Sequence, residues 1–164
     1  MRILGIDPGT ATIGYGVVQA NDDNFKLVSY GCITTSKDQP LEMRLKEIAF
    51  DLEILVNKFR PDFAAVEELY FSKNVKTAIS VAQARGVILQ KITELNIPLA
   101  SYNPMQVKQA LCSDGKAKKD QIQRMVQMLL QTDDIPRPDD AADALAIALT
   151  HGHCLSNQSL YQTA

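Results

Sequence analysis

The first third of the chain alternates short apolar runs with polar turns, a pattern typical of β-strands. Residues 3–7 form an apolar run that ends at Asp-Pro-Gly-Thr, and a second run follows over residues 13–19. A polar segment at residues 21–24 separates the second run from a third one over residues 26–34. The second and third runs therefore predict an antiparallel hairpin, and the pattern predicts three strands before any helix.

Beyond residue 40 the apolar period changes to that of helices that alternate with strands. Apolar residues recur at steps of four and three from Leu41 to Phe59, which predicts an amphipathic helix that ends before Pro61. Two more strands are predicted over residues 63–67 and 98–102, and further helices over residues 75–95, 104–111, 119–130 and 139–150. This order indicates an α/β domain whose five-stranded mixed sheet is flanked by helices.

Length and composition agree with a single globular domain. The chain has 164 residues, of which 46% are hydrophobic and 22% charged, and about 100–200 residues is the usual size of one domain. We expect the domain to span residues 1–153 and the polar residues 154–164 to form a flexible tail. The formal net charge of -2 argues against a protein that coats nucleic acid by bulk charge, so nucleic-acid binding has to be local.

The cysteines and the amino terminus predict a cytoplasmic protein with no membrane association. The three cysteines (Cys32, Cys112 and Cys154) are widely spaced and form no Cys-x-x-Cys pair, which is typical of reduced thiols. Asp7 interrupts the apolar stretch that a signal peptide requires. No segment approaches the roughly 20 apolar residues of a membrane-spanning helix.

Four acidic residues fall at positions where an α/β sheet gathers its ligand-binding groups. Asp7 ends the first predicted strand, Glu67 ends the fourth, and Asp140 and Asp143 share one face of the last helix. If the first and fourth strands are parallel neighbours, these carboxylates converge and repel one another. Divalent cations would relieve that repulsion, and oxygen ligands favour hard ions such as Mg²⁺ or Mn²⁺.

Each acid also has a purely structural interpretation. Asp7 before Pro-Gly can simply form a turn, and Asp139 and Asp140 after Pro138 can cap a helix. Strand alternation sends Glu67 and Glu68 to opposite faces, and Glu67 is the choice that continues the apolar strand.

The Gly-Ile-Asp-x-Gly-Thr opening also occurs in actin-like and sugar-kinase ATPases, but those proteins need two such lobes.

Basic and aromatic residues surround the predicted acidic centre. Lys108, Lys116, Lys118 and Lys119 cluster around a glycine-containing loop, and Lys73 lies just after Tyr70-Phe71. Such lysines are often only a solvated face, whereas beside an acidic centre they suit phosphodiester contacts. One of the two aromatics can pack in the core, or it can stack on a base. His151-Gly152-His153 lies at the far end of the last predicted helix, where we favour a structural or helix-dipole role.

Several short segments, taken in order, resemble one known family over nearly the whole chain. They are Gly5-Ile6-Asp7-Pro8-Gly9-Thr10 with Gly14-Tyr15-Gly16, Ala65-Val66-Glu67-Glu68, Lys73-Asn74, Gln83-Ala84-Arg85-Gly86, Gln106-Val107-Lys108 and Asp140-Ala141-Ala142-Asp143-Ala144-Leu145-Ala146. In this order they resemble the RuvC-type Holliday junction resolvases, which are crossover junction endodeoxyribonucleases.

The resemblance implies an RNase H-like fold, a homodimer and Mg²⁺-dependent nicking of four-way DNA junctions in recombination and repair. It places the catalytic and metal-binding acids at Asp7, Glu67, Asp140 and Asp143. It also implies that Tyr70 stacks on junction bases, that Lys73 lies on the substrate side, and that Lys108 and Lys119 contact the scissile region, with Lys118 as an alternative to Lys119. By the same resemblance, the RuvA–RuvB branch-migration complex is an expected partner.

From these residues we expect hydrolysis by two Mg²⁺ ions about 4 Å apart, with Mn²⁺ as a substitute, giving 5′-phosphate and 3′-hydroxyl ends. Asp7 would bridge the ions, and Lys108 or Lys119 would neutralise charge on the phosphate. Resolving a four-way junction takes two symmetric nicks, which a twofold dimer supplies. The Ala- and Gly-containing helix predicted over residues 75–95 is the expected interface.

Other functions stay open on sequence grounds. A related RNase H-like nuclease that acts on RNA or on another branched substrate would keep the same acids. A non-catalytic junction-binding module would need no metal, so the presence of all four acids counts against it. ATP-dependent phosphotransfer is a more distant possibility that nucleotide binding would reveal.

Overall fold

The computed structural model describes residues 1–21, 24–69 and 75–162, and the side chains of residues 1–21, 24–69 and 78–156. Within this part of the chain, strands and helices occur in the predicted order. They are β1 (Arg2–Asp7), β2 (Thr12–Asn21), β3 (Asn24–Thr34), α1 (Leu41–Phe59), β4 (Phe63–Glu67), α2 (Val75–Glu94), β5 (Leu99–Tyr102), α3 (Pro104–Cys112), α4 (Lys119–Leu130) and α5 (Asp139–Gln162).

The five strands form one mixed sheet in the order β3-β2-β1-β4-β5. The pairs β3–β2 and β2–β1 are antiparallel, whereas β1–β4 and β4–β5 are parallel. The predicted hairpin and the predicted mixed sheet are therefore confirmed. In the parallel register Ile6 pairs with Val66, so Asp7 and Glu67, the last residues of β1 and β4, end side by side at one edge.

Helices cover both faces of the sheet, and side-chain alternation along β1 assigns each residue to a face. Leu4 and Ile6 pack in a buried cluster with residues of α1 and α2, such as Ile48 and Ile88. Ile3 packs on the opposite side in a cluster with residues of α3, α4 and α5. Asp7 has the parity of Ile3, so it lies on the face that α5 covers.

Helix α5 lies unusually close to β1 and β2 because glycines face it. A Cβ atom on Gly5 would collide with the carbonyl oxygen of Ala144, and one on Gly14 would collide with the carbonyl oxygen of Asp140. The close approach brings the first turns of α5 over the ends of β1 and β2. The same two glycines therefore help to bring the helix acids to the strand acids.

Helix α5 is longer than the sequence pattern predicts. The prediction ends it at residue 150 with a flexible tail after residue 153, whereas the helix runs to Gln162. Gly152 does not stop the helix; it lies against the ring of Phe25, where a Cβ would not fit. Leu155 then packs against the buried cluster beneath α5, so the helix keeps an apolar contact beyond the predicted end.

The helices in the described part of the chain are those of a core that packs on a sheet. None of them combines the length and the apolar character that crossing a membrane requires.

Candidate active site

Asp7 and Glu67 form the strand-borne half of an acidic cluster. Their strands are adjacent and parallel, and both side chains lie on the α5 face of the sheet edge. Each acid is the last residue of its strand, because the chain leaves the sheet directly after it. The chain leaves β1 at Pro8, and it leaves β4 after Glu67 on the way to α2. This is the edge at which open α/β sheets bind ligands.

Helix α5 supplies the other half of the cluster. Asp140 and Asp143 lie in its first turns and share one face because they are three residues apart. Both carboxylates act on the Asp7 carboxyl electrostatically, as does Glu67. The four acids chosen from the sequence are therefore brought to one place by two strands and one helix.

Burial and mutual repulsion raise the pKa values of Asp7 and Glu67. The pKa of Asp7 rises to about 8, mainly because the carboxyl is buried and next because Glu67, Asp143 and Asp140 repel its charged form. The pKa of Glu67 rises to about 7, again first through burial and then through repulsion by Asp143. Like charges in a desolvated site behave in this way, and a cation is what such a site lacks.

Lys119 is a cation that lies directly beside the cluster. Its Nζ donates to Asp143 Oδ2 at 2.9 Å and lies 3.3 Å from Asp139 Oδ2. These two carboxylates raise the pKa of the Lys119 amine, although burial acts in the opposite direction as the largest single influence. The pKa of Asp143 is nevertheless raised, because desolvation exceeds the help from Lys119.

A cavity of about 240 Å³ lies beside the acidic cluster, and both acidic and basic side chains line it. Lys108 of α3 and Lys119 of α4 face into it together with Glu67 and Asp143. The lining residues are Glu67, Pro104, Val107, Lys108, Lys119, Ile122, Asp143 and Ala146. The two lysines give the cavity positive charge beside the acids, and lysines commonly contact phosphodiesters.

The acids do not form a ready metal cage in this arrangement. Among the described residues, no three His, Cys, Asp or Glu side chains stand close enough together to hold a metal ion. Mutual repulsion and the Lys119–Asp143 ion pair give a physical reason for the separation. The donor set is nevertheless made entirely of oxygens, the chemistry that Mg²⁺ and Mn²⁺ prefer.

Glu68 and Asp139 are the alternatives to the chosen acids. Glu68 is exposed and its main-chain N–H donates to the carbonyl oxygen of Tyr102, 2.8 Å away. Asp139 pairs with Arg137 and accepts from Gln123 Nε2 at 3.1 Å, so it belongs to the surface around α4. The lowered pKa of Asp139 fits that role, since these partners and Lys119 offset its desolvation.

The predicted DNA-contacting residues divide into three groups. Lys108 and Lys119 lie at the cavity, as expected. Lys118 is exposed at the start of α4, where its N–H donates to Gln121 Oε1 at 2.7 Å. Tyr70 and Lys73 lie outside the described residues, so their predicted roles stay predictions.

The two histidines lie within α5 rather than at its end, so of the two predicted roles the structural one fits and the helix-dipole one does not. The helix continues to Gln162, well past His151 and His153. The Nδ1 atom of His151 lies 2.8 Å from the Tyr102 hydroxyl, and burial lowers the pKa of the imidazole. The ring of His153 meets that of Phe25 edge-on, with the centroids 4.9 Å apart. Packing is therefore what these contacts indicate.

Two residues next to the acids were not singled out by the sequence pattern. Arg85 of α2 donates to the main-chain carbonyl of Glu67, and its only signal was membership of the Gln-Ala-Arg-Gly segment. Cys32 pairs with Gly14 across β3 and β2, and its thiol pKa is raised by burial and by the charges of Asp140 and Asp7. No sequence signal identified Cys32 as a neighbour of the site.

A mixed five-stranded sheet with clustered carboxylates at one edge and helices on both faces defines an RNase H-like nuclease. Comparison with solved structures agrees with this class. The chain superposes on the Thermus thermophilus RuvC structure with a TM-score of 0.90 and 37% identity, covering 96% of this chain and 97% of that one. It also matches T. thermophilus RuvC in complex with a Holliday junction substrate, with a TM-score of 0.86 and 36% identity over 94% and 95% of the two chains.

Sequence relatives point the same way. The chain is 49% identical to the crossover junction endodeoxyribonuclease RuvC of Fusobacterium nucleatum over 96% of this chain and 83% of the relative. The family model described as crossover junction endodeoxyribonuclease RuvC matches residues 3–151. The chain therefore belongs to the RuvC family of crossover junction endodeoxyribonucleases. The resemblance stated from the sequence motifs, the RNase H-like fold and the class of enzyme are confirmed.

Proposed function

We propose that this protein resolves four-way DNA junctions by hydrolysing one phosphodiester in each of two symmetric strands, leaving 5′-phosphate and 3′-hydroxyl ends. Asp7, Glu67, Asp140 and Asp143 are the catalytic acids of this proposal. The observation that carries it is the convergence of four carboxylates, two at adjacent strand ends and two in the first turns of α5, around the buried Asp7 carboxyl. A protein has little structural reason to gather like charges in this way, whereas a cation-dependent nuclease needs them.

Two divalent cations, Mg²⁺ or in its place Mn²⁺, fit the donor set of this site. The four acids supply only oxygen ligands, and the raised pKa values of Asp7 and Glu67 mark a site short of positive charge. Such ions, when bound, lower the pKa of water and stabilise the charge on a leaving oxygen. All three other carboxylates act on Asp7, which indicates that it lies centrally among them. We therefore propose that Asp7 would hold both ions.

The lysines of the cavity hold the scissile phosphate in this proposal. Lys108 and Lys119 line the same cavity as Glu67 and Asp143. An ammonium group in a recessed site neutralises the charge that develops on the phosphate oxygens. For Lys119 this requires leaving Asp143, and the ion pair is exposed enough for that exchange, with half of the lysine side chain accessible (53%).

Lys118, Lys73 and Tyr70 complete the proposed DNA contacts. Exposed Lys118 adjoins the cavity lysine at the start of α4 and suits a contact to a flanking phosphate. Lys73 and Tyr70 follow Glu67 and Glu68 closely in the sequence, which favours contacts near the scissile strand, with the Tyr70 ring stacked on a base.

The working unit that we propose is a homodimer that meets through α1 and α2. Large apolar side chains are exposed on these packed helices, with Phe50 64%, Ile54 48% and Ile79 58% accessible. Ala82 and Gly86 continue the exposed line of α2 from Ile79 at helical spacing, and a Cβ at Gly86 would meet nothing. A twofold pair matches the symmetry of two nicks.

The setting of the reaction follows from the substrate. A bacterial-type crossover junction nuclease meets its DNA in the cytoplasm, so we place the protein there. By resemblance to its family, we propose that the RuvA–RuvB branch-migration complex works with it on the junction.

The alternatives make different demands on the site. A non-catalytic junction-binding module would gain nothing from raising the pKa of a recessed carboxyl. A nuclease for RNA–DNA hybrids or for other branched substrates would keep the acids, and only a choice of substrate distinguishes it from a junction resolvase.

Cleavage of three substrates with Mg²⁺ tests the proposal: a synthetic four-way junction, a duplex of matched sequence and an RNA–DNA hybrid. We expect paired nicks in the junction alone. Asp7→Asn should abolish cleavage while junction binding in Ca²⁺ persists, and Glu68→Gln, an exposed acid one residue from the site, should cleave normally. Normal nicking by Asp7→Asn, or preferred cleavage of the hybrid, would contradict the proposal.

A further inference from the structure

Arg85 joins helix α2 to the end of strand β4, where Glu67 lies. Its Nε donates to the main-chain carbonyl oxygen of Glu67 at 2.8 Å, and its Nη2 donates to Ser101 Oγ at 2.9 Å. Ser101 belongs to β5 and pairs with Val66, the residue before Glu67. One guanidinium therefore links the last residue of β4 to the neighbouring strand β5.

The sheet itself cannot supply the donor that Arg85 provides. In the parallel register of β1 and β4, Ile6 pairs with Val66, so Asp7 stands beside Glu67. In a parallel ladder the carbonyl of Glu67 would accept from the N–H of the residue after Asp7, which is residue 8. Residue 8 is Pro8, which has no N–H to donate. The β1–β4 ladder therefore has no main-chain donor for the Glu67 carbonyl, and the Arg85 side chain of α2 donates to it instead.

The contact is to the main chain and leaves the Glu67 carboxylate free. Burial and Asp143 are what raise the pKa of that carboxylate, and Lys119 lowers it. On the other side of β4, the N–H of Glu68 donates to the carbonyl of Tyr102 at 2.8 Å. The peptide unit after Glu67 is thus held from both sides, and its orientation sets where the carboxylate points.

We propose that Arg85 is a positioning residue for Glu67: it replaces the donor missing at Pro8 and fixes the strand end that carries the carboxylate. The inference rests on the proposed catalytic role of Glu67. Because small displacements of a catalytic group cost large factors in rate, losing this anchor impairs the chemical step more than it impairs DNA binding. It also ties the carboxylate to α2, one of the two helices of the proposed dimer interface.

Arg85→Met and Arg85→Lys test the assignment, with Arg2→Met as the matched control. Arg2 also donates to a main-chain carbonyl at the end of an element, that of Phe59 in α1, but remote from the acids. We expect Arg85→Met to lower kcat on the junction by about 10- to 100-fold with the junction Kd in Ca²⁺ unchanged. Arg85→Lys should recover part of the loss, since a lysine restores one donor, and Arg2→Met should leave kcat unchanged.

A readout independent of turnover separates positioning from a general loss of structure. Titration of Mn²⁺ by calorimetry should show weaker binding to Arg85→Met, at a temperature well below its unfolding transition. Arg2→Met should bind Mn²⁺ as the unaltered protein does. Equal Mn²⁺ affinity and equal kcat in Arg85→Met would overturn the proposal.

A double-mutant cycle with Ser101→Ala tests whether the serine works through Arg85. Ser101→Ala should lower kcat less than Arg85→Met does, and it should have no further effect in the Arg85→Met background. If the effects of Ser101→Ala and Arg85→Met on kcat add independently, the serine does not work through Arg85, which would contradict the proposed arrangement. Light scattering at the assay concentration should give the same mass for all variants, and a loss of activity that higher protein concentration reverses would assign Arg85 to the dimer instead.

Glu67→Gln distinguishes a failure of this inference from a failure of the proposed function. If Glu67→Gln is inactive while Arg85→Met matches the unaltered protein, only the positioning role is wrong. If Glu67→Gln cleaves junctions normally, the proposed role of Glu67 fails, and the positioning role fails with it.

Discussion

The carboxyl groups of Asp7 and Glu67 retain protons at a pH at which ordinary acids have lost them. Their pKa values of about 8 and about 7 arise chiefly from burial and then from neighbouring carboxylates. In an unfolded chain the same groups titrate near pH 4. Between those values the folded state binds more protons than the unfolded state, so the stability contributed by these groups falls as the pH rises.

Asp7→Asn should therefore stabilise the metal-free protein, and more so at higher pH. We expect the difference in melting temperature between variant and unaltered protein to grow by about 10 °C from pH 5 to pH 8, since each pH unit in this range is worth about 1.4 kcal/mol for Asp7 and about 1 kcal/mol shifts a protein of this size by 2–4 °C. Thermal unfolding in EDTA at several pH values measures it. Glu68→Gln is the control, and a difference that stays constant across this range would contradict the raised pKa of Asp7.

Lys119 competes with added cations for Asp143 because its Nζ already donates to that carboxylate at 2.9 Å. Lys119→Met should tighten Mn²⁺ binding by up to about fivefold, the effect of losing an exposed ion pair. It should also slow cleavage at saturating metal by about 100-fold, because the phosphate loses a neutralising charge. Calorimetry and single-turnover cleavage measure the two effects.

Lys116→Met serves as the control for Lys119, since Lys116 is exposed in the loop before α4. It should change neither Mn²⁺ binding nor the rate. Weaker Mn²⁺ binding to Lys119→Met would show that the lysine supports the metal site rather than competing for it.

At the scale of elements, the site depends on how closely α5 lies on the sheet. Gly5 of β1 and Gly14 of β2 leave no room for a side chain against the main chain of α5. This contact helps to bring Asp140 and Asp143 to the ends of β1 and β4. The geometry of the acidic cluster thus depends on the distance between α5 and the sheet.

Gly14→Ala should push the first turn of α5 away from β2. We expect a loss of about 2–3 kcal/mol in the free energy of unfolding, as for an overpacked core, and a higher Mn²⁺ concentration for half-maximal cleavage. Unaltered stability of Gly14→Ala would mean that α5 lies farther from β2 than described.

At the scale of the whole molecule, one cluster of acids accounts for one nick, and paired nicks require two copies. The exposed apolar side chains of α1 and α2 are the surface that we assign to the second copy. Phe50 and Met128 make a matched pair for testing this, because they are equally exposed (64% and 62%) and lie on α1 and α4.

Phe50→Glu should give a monomer by light scattering, and it should convert paired cuts into slow single nicks, since a buried charge opposes association. Met128→Glu should remain a dimer and resolve junctions normally. If both variants remain dimers, the interface lies elsewhere on the molecule.

Much of the architecture could be predicted because helices and strands leave local periodic patterns. The hairpin, the helix over Leu41–Phe59 and the strand ending at Glu67 all have the predicted type and nearly the predicted bounds. The end of α5 could not be predicted in this way. Its last turns are polar, and its continuation is accompanied by Gly152 packing on Phe25, a contact between residues far apart in the chain.

The sequence by itself determined the order of the strands and helices, the family, and which acids stand at strand and helix ends. All of these follow from local spacing or from motifs of a few residues. Only the tertiary structure decided that Lys119 binds Asp143, that Arg85 completes the ladder beyond Pro8, and that the Asp7 carboxyl holds its proton to about pH 8. These depend on burial and on contacts between distant segments, because desolvation and Coulomb energies are properties of positions in space rather than of positions along the chain.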